Sequence, residues 1–189
     1  MARIAVLPGD GIGKEVAAEG VKLLQVLDKR FGLGLKLSHL PYGADHFLAT
    51  GETLPKGAFE QFREDYDAIF LGALGDPRVP DGRHAREILL GLRFNLDLYI
   101  NLRPCKLLDE RLTPLKGKGP KDIDFVVFRE NTEGQYQGLG GHFKQGTPDE
   151  LAISEEINTR KGVERIIRAA FKYAKEHGKT HVMCSTKSN

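Results

Sequence analysis

Two cysteines in 189 residues, Cys105 and Cys184, are too few for a disulfide framework. Both sit in apolar runs and neither has a CxxC partner, so the pattern predicts buried, reduced thiols without a metal role. Net charge is scarce as well. The 28 basic and 26 acidic side chains leave +2, which argues against a nucleic-acid binder that works by bulk phosphate neutralisation. No basic block interleaved with aromatics occurs, and the short GKGPK stretch (117–121) predicts a solvated turn. No window approaches the roughly 20 apolar residues of a membrane span. The opening MARIAVLPGD breaks at Pro8-Gly9 before a signal-peptide apolar region is complete, and a soluble cytoplasmic protein is expected. The six histidines are scattered, and no histidine-built metal site is expected.

What is present is an apolar fraction of 40%, enough for a sizeable core. RIAVLP (3–8) is a short run rich in branched residues and predicts a buried strand. Val16, Leu23, Leu24, Leu27 and Phe31 recur near helical period, and Gly32 supplies the stop. Strands are expected over 33–42 and 66–74, with a helix from Pro55 to Glu64 between them. That rhythm implies an α/β layer with a parallel sheet. Further on, 83–94 predicts a helix, 97–108 and 123–130 predict strands, and LAISEEI (151–157) a half-exposed strand or arm. Asn158–His177 carries one apolar stripe, and THVMCST (180–186) is again strand-like. Helical periodicity gives way to extended runs near 98–104, so the expected division is 1–98 and 99–189.

Five side chains could carry chemistry. Arg93, Arg103 and Arg129 each offer a planar fork that pairs bidentately with a carboxylate. Taken singly, each is ordinarily a solvated surface arginine, but all three adjoin apolar helix or strand residues. Tyr136 and Lys187 could move protons, although a lone tyrosine is usually core or rim and a lone lysine usually surface. PGDGIGKEV (8–16) joins the first strand to the first helix through Gly9, Gly11 and Gly13, where freed amides favour an anion or a flat ring. Alone, a merely structural turn explains that loop equally well. Its GxGxG spacing, and a second strand ending SHLPY without the usual acid, exclude an ordinary Rossmann fingerprint.

Together, PGDGIG, LLGLRFNLDLYINLRP (89–104), RENTEG with Tyr136, and the closing KSN resemble the β-decarboxylating dehydrogenases, the isocitrate/isopropylmalate family, along the whole chain. The resemblance implies a two-domain α/β fold of isopropylmalate dehydrogenase type, with a mixed, largely parallel sheet. It also implies oxidation of a 2-hydroxy acid by NAD or NADP, with Mg²⁺ or Mn²⁺, followed by loss of the β-carboxylate. Arg93, Arg103 and Arg129 would then clamp the substrate, Lys187 would be general base, and Tyr136 general acid. Gly11, Ile12, Gly13, Ala73, Leu74, Glu133 and Asn189 would border the nicotinamide. Leu89 and Leu90 would meet an isopropyl group, which favours 3-isopropylmalate and leucine biosynthesis. Arg86, two turns before Arg93, could instead pair with a further carboxylate or stay solvated. D-malate or tartrate, isocitrate, and a non-catalytic regulatory subunit stand as alternatives. Members of the family are much longer and form homodimers, and their metal-holding aspartates are expected beyond Asn189. This segment is therefore expected to be an N-terminal portion, inactive alone.

Overall fold

The structure is a computed structural model that describes residues 1–185, so Lys187 and Asn189 lie outside the described residues. The chain divides into two compact units, Met1–Leu96 and a second from Asp97 onward.

The first unit contains a three-stranded parallel sheet of order β2-β1-β3, formed by β1 (Arg3–Leu7), β2 (Lys36–His39) and β3 (Ala68–Leu71). Branched and aromatic residues on β1 and β3 make this sheet, and period-two alternation sorts their side chains to opposite faces. Ala5 and Leu7 face the core shared with α3 (Ala58–Asp65) and α4 (Arg83–Asn95), where Ala58, Phe62, Ile88 and Leu92 are buried. Val6 and its parallel partner Phe70 take the other face, towards α1 (Ile12–Phe31). Gly20 permits that packing, because a Cβ there would strike the Phe70 ring.

The inward row of α1 is Gly13, Ala17 and Val21 rather than the expected Val16, Leu23 and Phe31, which are exposed. Helical period was legible, but it could not say which of two apolar rows meets the sheet. Close approach of helix and strand selected the small residues. A short helix, α2 (Ala44–Thr50), was not expected at all.

The second unit contains two antiparallel hairpins, so the parallel pairing lies wholly in the first. β4 (Ile100–Lys106) pairs with β5 (Asp124–Glu130), and β6 (Gly140–Phe143) with β7 (Leu151–Ser154). Helix α5 (Arg160–Glu176) lies on one face of β4–β5, with Tyr173 edge-on to Phe128 at 5.1 Å between ring centres. Arg165 ties the unit together. It pairs with Asp97 through two 2.9 Å bonds, donates to the Thr132 hydroxyl at 2.6 Å, and lies over the Tyr99 ring.

Two expectations fail here. Residues 180–185 form no strand, since nothing among the described residues pairs with them. Cys105 and Cys184 are exposed rather than buried, the first on a two-stranded ribbon and the second in that irregular segment. His177 and His181 stand four residues apart, but α5 ends at Glu176 and Gly178 (φ 61) follows, so they do not share a helical face. No helix among the described residues is long and apolar enough to cross a membrane.

Candidate active site

In an antiparallel ladder, residues directly opposite each other project from the same face. Arg103 lies opposite Val127, and Asn101 opposite Arg129, so Asn101, Arg103, Val127 and Arg129 share one face of β4–β5. Phe128 and Glu130 take the other face, where α5 packs and Arg165 reaches Glu130. The two guanidiniums therefore stand on the side away from α5. Arg103 Nε donates to Asn101 Oδ1 at 2.7 Å. Arg129 is half-buried and lies 4.8 Å from the centre of the Tyr136 ring, a cation–π contact that fixes both groups. Tyr136 sits in a single 3₁₀ turn after Gly134 and is 39% exposed. Three of the five chemical candidates thus gather within one unit: two forked cations and a phenol.

The loop that carries Tyr136 is built by Glu130 and Asn131, which were not singled out, and by Glu133, which was. Burial alone would raise the Glu130 carboxyl, but bonds from the Thr132 hydroxyl, the Thr132 and Glu133 amides and Arg165 outweigh it and hold that group below its ordinary range. Asn131 donates to the Leu98 carbonyl at 3.0 Å and accepts from Asn101 at 3.2 Å, joining loop to strand. Glu133, expected beside the nicotinamide, accepts from the Thr159 amide at 2.8 Å and hydroxyl at 2.5 Å. It thereby anchors the start of α5, where Thr159 in turn caps the Gly162 amide.

The remaining candidates lie in the first unit. On α4, Leu89 and Leu90 precede Arg93 by four and three residues, so all share one side of the helix, with Arg86 one turn earlier. His84, Ile88 and Leu92 take the core side. Leu89 is exposed while Leu90 and Arg93 are half-buried, and Arg86 is exposed. The side chain of Glu87, the neighbour of Arg86, bonds Thr53 instead.

The glycine loop presses against the loop after β3. Asp10 N donates to the Ala73 carbonyl at 2.7 Å, and a Cβ on Gly9 or Gly13 would collide with Ala73. Gly9 also holds φ 74, a conformation that side-chain-bearing residues rarely adopt. Gly11 has open space above it, Ile12 is 62% exposed, and the start of α1 has no side-chain cap. Those features fit a flat ring laid on Ile12 at the start of α1, where the Gly13 amide is already taken up by the Asp10 carbonyl. Ala73 is exposed and Leu74 half-buried against the core. Nearby, Lys14 and Arg78 both pair with Asp45, holding its carboxyl below the ordinary range.

Among the described residues, no group of three His, Cys, Asp or Glu side chains is placed to hold a metal ion. These residues alone do not fit a divalent cation.

The sequence profile described as "Isocitrate/isopropylmalate dehydrogenase" matches residues 3–189. The chain belongs to that family. It is 51% identical to a 3-isopropylmalate dehydrogenase of Thermobifida fusca over 92% of this chain and 49% of that protein. A D-malate dehydrogenase [decarboxylating] of Escherichia coli is 43% identical over 99% of this chain and 52% of its own length. Among solved structures, an isocitrate dehydrogenase from Methylococcus capsulatus aligns with TM-score 0.78 at 32% identity, covering 95% of this chain and 49% of that one. As a member of the isocitrate/isopropylmalate dehydrogenase family, the chain has the expected α/β architecture, and it spans about half the length of the curated relatives it matches.

Proposed function

We propose that this chain forms part of an NAD-dependent β-decarboxylating dehydrogenase acting on 3-isopropylmalate, a cytoplasmic enzyme of leucine biosynthesis. The observation that carries the reading is the shared, open face of β4–β5, where Arg103, Arg129 and Tyr136 stand together. Arg93 of α4 is assigned the role of a third carboxylate-holding fork, and Leu89 and Leu90 that of contacts to the isopropyl group. Forked cations suit a malate-like dianion because each can hold a carboxylate with two parallel bonds. The nicotinamide of NAD, resting by Gly11, Ile12, Gly13, Ala73 and Leu74, with Glu133 and Asn189 at its border, supplies a hydride acceptor. NADP would bind by the same loop. Lys187 takes the substrate's hydroxyl proton, and Tyr136 returns a proton to the carbon that has lost carbon dioxide. Mg²⁺ or Mn²⁺ belongs to the same proposal, with ligands outside the residues described.

Two rows of exposed apolar side chains support an incomplete unit: Ile12, Val16, Leu23 and Val26 on α1, and Val163, Ile167 and Phe171 on α5. Surfaces of that kind mark packing or association sites. The 189 residues alone are accordingly proposed to be inactive, and the complete protein to be a homodimer. The D-malate relative gives a second reading, in which the substrate is D-malate or tartrate and Leu89 and Leu90 contact nothing specific.

The test is a substrate panel on the full-length protein carrying these residues, with NAD and Mg²⁺. The expected result is a kcat/KM for 3-isopropylmalate at least about tenfold above that for D-malate, the range that one or two buried methyl groups supply. A preference for D-malate selects the second reading. No NADH formation with any hydroxy acid contradicts both and points to a binding-only subunit.

A further inference from the structure

Asp10 and His84 form the most buried polar pair in the first unit, and the chemistry proposed above uses neither. Asp10 is 4% exposed and His84 fully buried. One Asp10 oxygen accepts the Ala44 amide at 2.7 Å; the other accepts the Gly75 amide at 2.9 Å and contacts His84 Nε2 at 2.7 Å. Burial pushes this carboxyl up, but the two amides and the imidazole more than reverse that, so it stays ionised near neutrality. An ionised carboxylate only accepts hydrogen bonds, so Nε2 carries the hydrogen. Among the described residues Nδ1 is buried without a hydrogen-bond partner, which leaves Asp10 as the only polar group there that the ring engages. Phe47 of α2 lies along the ring at 6.1 Å between centres.

One carboxylate therefore joins four pieces of chain: the glycine loop that holds Asp10, the start of α2, the loop after β3, and the first turn of α4. The main chain of Asp10 adds the bond to Ala73, and its carbonyl accepts the Gly13 amide at 2.7 Å. Five hydrogen bonds thus converge on a residue flanked by Gly9 and Gly11, where the backbone itself resists distortion least. Without the three made by the carboxylate, the two loops would be held together by the Asp10–Ala73 main-chain bond and by glycine packing.

We propose that Asp10 and His84 are positioning residues for the dinucleotide: the pair sets the separation of the glycine loop from the 71–77 loop, and through it cofactor affinity. This rests on the reading that these two loops border the nicotinamide. His84 acts through Asp10 and touches neither cofactor nor substrate. Its loss is expected to change cofactor KM while sparing the step performed by groups on the second unit.

The experiment uses the full-length protein and compares His84→Leu, His84→Gln and Asp10→Asn with wild type. Glutamine places an amide donor where Nε2 stands, whereas leucine has none. Expected are a rise of about tenfold in KM for NAD in His84→Leu, kcat and hydroxy-acid KM within about twofold, and recovery to near wild type in His84→Gln. Asp10→Asn keeps the volume but turns a hydrogen-bond donor towards amides that also donate, and its rise should be at least as large. A lowered melting temperature with unchanged KM for NAD in both His84→Leu and Asp10→Asn overturns the proposal, as does a His84→Gln variant no better than His84→Leu. Direct titration of wild type with NAD separates the two levels. Wild type that binds no dinucleotide overturns the functional reading as well, whereas normal wild-type binding with unaffected variants overturns the positioning role alone.

Discussion

Tyr136→Phe in the full-length protein is expected to lower kcat for oxidative decarboxylation by about 10²- to 10⁴-fold, the contribution of a well-placed general acid. The substitution removes one oxygen and leaves the ring that Arg129 covers at 4.8 Å, so the loop after Gly134 has no steric reason to move. KM for the hydroxy acid should then stay within about threefold, because the arginine forks and not the phenol hold the carboxylates. Steady-state kinetics with 3-isopropylmalate provide the check. A variant retaining kcat within about fivefold of wild type would remove Tyr136 from the chemistry.

The second large effect is at Arg129. Arg129→Lys keeps the charge but loses the planar fork and the stack on Tyr136, and an ammonium cannot reproduce either geometry. One charged hydrogen bond lost from a partly desolvated site costs about 1.5–3 kcal/mol, or roughly 10- to 150-fold in kcat/KM. Loosening of the Tyr136 ring should place the result in the upper part of that range and lower kcat as well as raise KM. Arg103→Lys serves as the comparison. Among the described residues Arg103 holds only Asn101 Oδ1, through Nε, so its loss should appear mainly in KM. Equal and small effects at both positions, below about threefold, would mean that neither fork meets the substrate.

Which parts of this were legible in the sequence follows from how local the information is. β1, β5, α4 and α5 were readable because each carries a periodic apolar pattern several residues long and a clear stop. β6 was missed because GGHF has no such pattern, and pairing with β7 alone makes it a strand. α2 is seven residues with glycines at both caps and reads as loop. The apolar rows of α1 were visible, yet the choice between them depended on the sheet, which a helix does not encode by itself. In the site, Arg103, Arg129 and Tyr136 could be named from their contexts; hairpin register put the two arginines on one face, and Tyr136 lies against Arg129. Glu133 was named for a different task from the one its carboxylate performs at Thr159. The Asp10–His84 pair escaped notice because its members are 74 residues apart, and no local pattern links a glycine-loop acid to a helix histidine. The only available hint was an acid between two glycines that had no assigned role.

The central claim is that Arg93, Arg103 and Arg129 surround a single carboxylate-bearing substrate. A crystal structure of the full-length protein with 3-isopropylmalate bound measures this directly. The account predicts all three guanidiniums within hydrogen-bonding distance of the substrate carboxylates, at about 2.7–2.9 Å. Guanidiniums that point to separate faces, or that remain paired with acids of their own chain while the substrate sits elsewhere, would contradict it.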